Sequence, residues 1–139
     1  MIRSTTGFGL VGTLITIAVT AFVIGGGFLM LNSERAKTRD SKRLADMARV
    51  QAAFEFLFND TASYALAAQN GCSQAGSPVS SCNLKQYFPT LGQLQDPGKL
   101  AYTVSKAPSE EGYEVTFTLE YAYGSLAAGR HTLSPDGIQ

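Results

Sequence analysis

Three side chains near the C-terminus have the types needed for acid–base or nucleophilic chemistry. His131 lies on a predicted short strand, and Ser134 and Asp136 follow it in a turn. General-base catalysis needs a histidine that is oriented by a partner, and three neighbours along one turn do not form such a triad. We therefore predict that the chain is not an enzyme and that it has no catalytic residues.

Metal-ligating residues are few. One histidine and two cysteines are too few for a zinc site with four protein ligands. Asp96 and Asp136 supply two carboxylates, whereas a calcium ion takes about six to eight oxygen ligands. We predict neither a metal site nor a cofactor. The tyrosines are interpreted as core and sheet residues rather than as a stacking platform: Tyr64, Tyr87, Tyr102, Tyr113, Tyr121 and Tyr123.

The two cysteines suggest a covalent link. Cys72 and Cys82 flank a loop (residues 69–83) rich in glycine, serine and proline. Such a pair favours a disulfide formed outside the cytoplasm. Closing so short a loop stabilises a fold by roughly 2–3 kcal/mol in the chain-entropy description. The alternative is two unpaired thiols in a cytosolic loop.

The charges are balanced in total but not in distribution. The 139 residues include 11 basic and 11 acidic side chains, and 45% are apolar, which argues against disorder. Residues 1–49 carry seven basic and three acidic side chains, a net +4, whereas residues 50–139 carry four and eight, a net −4. The zero total argues against a generic nucleic-acid binder. The length allows one small domain.

A long apolar segment lies near the N-terminus. Residues 4–33 contain no charge, and the apolar segment proper covers residues 7–31. About 20 residues of helix cross a bilayer core, so this segment is long enough to span a membrane. Gly25, Gly26 and Gly27 each weaken a helix by ~1 kcal/mol relative to alanine, which predicts local loosening. Close helix packing through small residues is the alternative.

The elements after the apolar segment predict an α+β fold. Residues 34–65 form a predicted amphipathic stem helix, in which Asp40 and Asp46 are spaced to pair with Arg43 and Arg49. Its predicted apolar stripe is Leu44, Met47, Ala48, Gln51, Phe54 and Phe58, widened by Ala53 and Leu57. Residues 84–88 predict a helical turn. Strands are predicted at residues 100–105, 113–123 and 130–133, as an antiparallel sheet of three strands packed on that stripe.

Several of these features together resemble the type IV pilin and pseudopilin family. Gly7 and Phe8 resemble the prepilin-peptidase site, after a short basic leader. Residues 39–46 resemble the charged stem of many prepilins, and residues 58–64 the end of its helix. Residues 96–104 resemble the entry into the pilin sheet. The resemblance implies four parts: a leader (1–7), a transmembrane and filament-core helix (8–33), the stem (34–65) and a globular head with the disulfide loop (66–139).

The resemblance also implies which residues act in assembly. Phe8 becomes the methylated N-terminus, and the family usually carries a glutamate four residues later that pairs with a neighbour's terminal amine. Gly12 occupies that position here. The chain is then either a minor or initiating subunit, or a main subunit that packs through other contacts. The family's usual proline is also missing, and Gly25, Gly26 and Gly27 are placed to substitute for it.

The implied function is that of a structural filament subunit. Its partners would be copies of itself or other pilins, the prepilin peptidase and the inner-membrane assembly platform, with no nucleic acid. It would reside in the inner (cytoplasmic) membrane before assembly and in an extracellular filament afterwards. The basic residues that follow the apolar segment favour a cytoplasmic stem, whereas the cysteine pair favours the outside. The alternative function is a single-pass, membrane-anchored binding module that does not polymerise.

Overall fold

The computed structural model describes the backbone of residues 6–139 and the side chains of residues 9–27 and 30–139. Most of the predicted leader, residues 1–5, lies outside the described residues. The chain divides into two compact units, Met1–Ala36 and Lys37–Gln139. The second, called the C-terminal unit below, contains the stem from Lys37 onward together with the predicted head.

The first element is a single helix, α1, at Thr6–Thr61. It joins the two predicted helical segments, and its backbone is helical through Gly25, Gly26 and Gly27. The helix ends four residues before the predicted boundary at residue 65, because Ala62 has a left-handed φ of 53°. Three short 3₁₀ helices follow, at Ala65–Ala68, Val79–Ser81 and Leu91–Gln93.

The sheet has four antiparallel strands in sequence order rather than the three predicted. They are β1 (Thr103–Lys106), β2 (Glu114–Leu119), β3 (Gly129–Ser134) and β4 (Gly137–Ile138). The extra strand forms because the predicted turn after Ser134 places Gly137 at a φ of 106°, which returns the chain onto β3. The α+β class is confirmed. The missed strand is only two residues long and contains a glycine, so its sequence has no alternation to detect.

The core of the C-terminal unit lies between α1 and the sheet. The alternation predicted for β2 is confirmed, since Val115, Phe117 and Leu119 are buried. On α1 the buried stripe is offset from the predicted one. Ala53 and Leu57 are buried as predicted, and Val50 is buried although it was not on the predicted stripe. Ala48 is exposed and Phe58 is 39% exposed.

β2 runs antiparallel to the stem part of α1. At one end the Phe54 and Tyr113 rings stack with centroids 3.7 Å apart. At the other end Asp40 accepts hydrogen bonds from the backbone N–H groups of Glu120 and Tyr121. About 21 Å of helix separates the two α1 residues, and about 23 Å of strand separates Tyr113 from Glu120. The strand therefore has the length needed to be fastened to the helix at both ends.

Candidate functional site

The apolar segment is exposed along its described length. All described side chains between residues 9 and 31 are exposed, for example Phe22 at 84% and Met30 at 76%. The most apolar 18-residue window of the helix has a mean hydropathy of 2.3, and none of it is buried. By length and composition, α1 can cross a membrane. A soluble monomer rarely exposes so large a continuous apolar surface.

The threonine hydroxyl groups of this segment donate hydrogen bonds to backbone carbonyls of the same helix. Thr13 donates to the carbonyl of Gly9 at 2.6 Å, Thr16 to that of Gly12 at 2.8 Å, and Thr20 to that of Thr16 at 2.7 Å. Each bond spans one helical turn, as expected for hydroxyls in a helix. The segment can therefore contact lipid or another helix without leaving these hydroxyl donors unpaired.

The predicted processing and assembly residues all lie on α1. Gly7 and Phe8 are in its first turns, where only the backbone is described. A Cβ added at Gly12 would meet no atom within 4 Å, so packing within the chain does not require glycine there. The same holds for Gly25, Gly26 and Gly27. Loosening at these three glycines stays a prediction.

A second candidate site is built around Arg43, whose side chain is fully buried. Its guanidinium binds Asp96 through two parallel bonds, from Nε to Oδ2 at 2.6 Å and from Nη2 to Oδ1 at 2.9 Å. Its Nη1 donates to Asp40 and to Glu120, each at 2.7 Å. These four residues form the buried ion-pair cluster. A planar guanidinium suits this arrangement because its donors form a rigid fork.

Asp40 and Glu120 connect the cluster to the end of β2. Besides Arg43, Asp40 accepts the backbone N–H of Glu120 at 3.0 Å and that of Tyr121 at 2.8 Å. Glu120 also accepts a hydrogen bond from Arg39 Nε at 2.7 Å. The predicted strand 113–123 is therefore too long: β2 ends at Leu119, because the next two amides bond to a helix side chain instead of a neighbouring strand.

The cluster changes the acidity of its carboxyl groups. The hydrogen bond from Arg39 lowers the pKa of Glu120 to about 2, aided by Arg43. Burial raises the pKa of Asp96, but hydrogen bonds from Arg43 and from the N–H of Gly98 outweigh it and leave that pKa below its usual value. The hydrogen bond to Asp96 raises the pKa of Arg43. Each group is thus held in its charged form.

Asp46 extends this polar region along α1. The predicted pair between Asp40 and Arg43 is confirmed. Asp46, which was expected to pair with Arg49, instead accepts bonds from Lys42 at 2.9 Å and from the hydroxyl of Tyr102 at 3.1 Å. A helix neighbour and a buried tyrosine thus hold this carboxylate in place.

The predicted disulfide between Cys72 and Cys82 is confirmed, with both residues buried and their Cα atoms 4.7 Å apart. The loop that it closes is joined to the outer edge of β1. Gly76 N–H donates to the carbonyl of Val104, and Val104 N–H donates to the carbonyl of Ser77. The loop therefore bonds to the edge strand of the sheet and covers an edge that would otherwise be open.

The side chains of His131 and Ser134 bond to different backbone carbonyls and not to each other. The ring nitrogens of His131 lie 2.7 Å and 3.1 Å from the carbonyl oxygens of Ala127 and Gln139. The hydroxyl of Ser134 donates to the carbonyl of Gly137 at 3.4 Å. Within the described part of the chain, no group of three or more histidine, cysteine, aspartate or glutamate side chains is placed to hold a metal ion.

Two features were missed in the sequence. The burial of Arg43 was not predicted, and Asp96 and Glu120 were not connected with it. A signal was present, because residues 40, 43, 47, 50, 54 and 57 follow the alternating three- and four-residue spacing of one helix face. Asp40 and Arg43 fall on that face and are therefore placed to be buried as a pair.

These observations define an α+β protein whose single long N-terminal helix is apolar and exposed in one unit and packed under a four-stranded sheet in the other. No protein-family model matches the chain, and no curated protein or solved structure matches it. The function must therefore be inferred from the residues and contacts of this chain.

Proposed function

We propose that the chain is a structural subunit of a type IV pilus-like filament. The prepilin peptidase cuts between Gly7 and Phe8, and Phe8 becomes the methylated N-terminus. The apolar segment holds the subunit in the inner membrane until the assembly platform transfers it into the filament. The filament is extracellular and contains copies of this chain or other pilins.

The exposed apolar segment carries the proposal. A helix that is apolar all round is stable in lipid or among other helices, and not in water. In a filament, the segments of neighbouring subunits bury this surface against one another, which replaces the lipid contacts that each subunit loses. The internally bonded threonines fit both surroundings, since their hydroxyls need no outside partner.

Because residue 12 is a glycine, assembly of this subunit would differ from that of the family it resembles. With no carboxylate at this position, no charge pair forms with a neighbour's terminal amine. The subunit then enters the filament through apolar contacts and through its C-terminal unit. A minor or initiating subunit and a main subunit with such contacts both fit this arrangement.

Mass spectrometry of the N-terminus tests the proposal. The protein is purified from its native host, and the expected mass is that of a chain that begins at methylated Phe8. Electron microscopy with an antibody to the C-terminal unit is expected to label extracellular filaments. An intact Met1 together with the absence of labelled filaments would overturn the proposal.

The competing function is a membrane-anchored binding module that stays monomeric. Its contact surface would be the disulfide loop, although the bonds of that loop to β1 already give it a structural role. Labelling of surface-exposed protein on intact cells, with a reagent that does not react with cysteine, separates the two functions when it is combined with microscopy. Labelled protein at the cell surface without filaments would favour the binding module.

A further inference from the structure

One end of β2 presents aromatic side chains on a preformed hairpin. Residues 121–129 contain no charge, and Tyr121 and Tyr123 are 43% and 50% exposed. Tyr123 and Leu126 exchange both backbone hydrogen bonds, at 2.8 Å and 3.0 Å. His131 binds the carbonyl of Ala127, as described above. The exposed tyrosines therefore have a fixed backbone, which lowers the entropy cost of binding through them.

The exposed charges near this hairpin are basic. Lys99 and Arg130 are exposed, and Lys99 lines an open groove of about 450 Å³ beside Leu100 and Glu120. Glu120 adds little negative charge to the surface because Arg39 and Arg43 bind it. We call this surface, formed by Lys99, Leu100, Tyr121, Tyr123 and Arg130, the tyrosine end.

The opposite end of β2 is acidic. Glu110 and Glu111 are exposed in the loop between β1 and β2, and Asp136 is exposed in the turn between β3 and β4. Ser109 fixes the loop, since its N–H bonds to the carbonyl of Gly112 and its carbonyl accepts the N–H of Tyr64. We call the surface formed by Glu110, Glu111 and Asp136 the acidic end.

The acidic end has room for an aromatic side chain. An open cavity of about 600 Å³ is lined by three carboxylates and one ammonium group, and therefore stays acidic overall: Glu111, Glu114, Asp136 and Lys106. Carboxylates at such a cavity accept hydrogen bonds from tyrosine hydroxyls and attract basic side chains. The acidic end therefore complements the tyrosine end in charge, and its cavity offers space for an aromatic ring.

The two ends cannot meet within one molecule. They lie at opposite ends of β2, separated by about 23 Å of strand. Two different surfaces that complement each other form a head-to-tail contact between copies, and such a contact extends into an open chain unless its rotation closes a ring. A head-to-tail contact between the two ends of successive copies can therefore repeat along a filament.

We propose that the tyrosine end of one copy docks on the acidic end of a second copy of this chain. Tyr121 and Tyr123 lie against the cavity, and Lys99 and Arg130 face Glu110 and Glu111. The inference rests on the proposed function and specifies the contact between C-terminal units in the filament. The buried ion-pair cluster is not part of this contact, because its charged groups bind one another within one copy.

Carbodiimide cross-linking of the full chain in its native host tests the contact. This reagent joins a lysine amine to a carboxylate as an amide, with loss of water, only where the two groups touch. Mass spectrometry of the band at twice the subunit mass is expected to show Lys99 joined to Glu110 or Glu111. Raising the salt concentration is expected to reduce this band.

Exchanging the charges of Lys99 and Glu111 is a second test of the contact. Lys99→Glu alone and Glu111→Lys alone are each expected to reduce filament yield by about tenfold or more, because like charges then face each other. The double variant restores the pair and is expected to recover most of the yield. Lys85→Glu makes the same charge change at an exposed lysine outside both ends and is expected to have little effect.

Each result decides the inference. Filaments that form normally in both single variants and contain no link at Lys99 would overturn the contact and leave the filament function intact. A link from Lys99 to another protein would also overturn it. Linked pairs without filaments would support the contact and contradict the filament function, whereas neither links nor filaments would contradict both.

Discussion

Arg43 and Asp96 are joined by two parallel hydrogen bonds, of 2.6 Å and 2.9 Å, between the stem part of α1 and the loop that leads into the sheet. Both side chains are removed from water, at 0% and 1% exposure. Such a pair is costly to desolvate, so its net contribution to the stability of the fold depends on good geometry and on additional hydrogen-bond partners. Asp40 and Glu120 supply those partners. The cluster thus fixes the register between the helix, the loop and the end of β2.

Removing the arginine is expected to destabilise the C-terminal unit strongly. Arg43→Met leaves Asp40 and Asp96 buried without their counter-charge, and we expect a loss of about 3–5 kcal/mol in the free energy of unfolding. Arg43→Lys is expected to rescue only part of this loss, because an ammonium group cannot form the two parallel bonds. Urea denaturation of the full chain in detergent, followed by near-UV circular dichroism, measures both.

Arg49→Met is the matched control, since Arg49 is an exposed arginine on the same helix. We expect it to change the free energy of unfolding by less than about 0.5 kcal/mol. Equal effects of the two substitutions would contradict the importance of the cluster.

Stability is expected to fall in acid because of the same cluster. The pKa of Glu120 is lowered from 4.5 to about 2, and that of Asp96 is lowered from 3.8. Groups with a lowered folded-state pKa stabilise the fold above their unfolded-state pKa, and this contribution is lost as the pH falls through the folded-state value. The melting temperature should thus hold from pH 7 to about pH 5 and decline from about pH 4.5 toward pH 2.

Glu120→Gln tests this origin of the acid sensitivity. Because glutamine does not titrate, the variant is expected to start with a lower melting temperature at pH 7 and to lose less on acidification. Glu110→Gln removes an exposed carboxylate in a loop and should keep the wild-type slope. A wild-type slope in Glu120→Gln would show that other groups cause the decline.

Two buried tyrosines are expected to respond oppositely to loss of their hydroxyl groups. The hydroxyl of Tyr113 has no hydrogen-bond partner in the described part of the chain, whereas that of Tyr102 donates to Asp46 at 3.1 Å. Tyr113→Phe keeps the ring stacked on Phe54 and removes an unpaired polar atom, so stability should stay the same or rise by about 1 kcal/mol. Tyr102→Phe should lower it by about 1.5–3 kcal/mol.

Thermal unfolding of the two variants beside the wild type measures this difference. Each variant removes one oxygen from a buried ring, so they serve as controls for each other. A loss on Tyr113→Phe as large as that on Tyr102→Phe would indicate that the Tyr113 hydroxyl has a partner in solution.

The sequence predicted the elements better than the contacts between them. Helix periodicity and the alternation of β2 depend on neighbours along the chain, and both were predicted. The predicted end of the helix was four residues too late. The helix ends at a left-handed residue, which is usually a glycine, whereas here it is Ala62. β4 was missed because two residues form a strand only when a partner strand is already in place.

The buried ion-pair cluster illustrates the limit of prediction more sharply. Its members are separated by up to 80 positions along the chain, from Asp40 to Glu120. Only Asp40 and Arg43 are close enough in sequence for their pairing to be predicted. The choice of Asp96 and Glu120 depends on how the loop and β2 pack on the helix, which no local pattern encodes. The disulfide was predicted because its two cysteines flank one short loop and so are close along the chain.

The disulfide is expected to stabilise the covered edge of β1. In the double variant Cys72→Ala and Cys82→Ala, we expect the free energy of unfolding to fall by roughly 2–3 kcal/mol, because the unfolded chain gains the freedom of an open loop. Local opening should extend to Gly76 and Val104, whose backbone bonds join the loop to the strand. Hydrogen exchange of these amides should accelerate relative to amides in β2. Added reductant should destabilise the wild type and leave the double variant unchanged, and equal protection of the Val104 amide in both proteins would contradict a role for the disulfide in holding that edge.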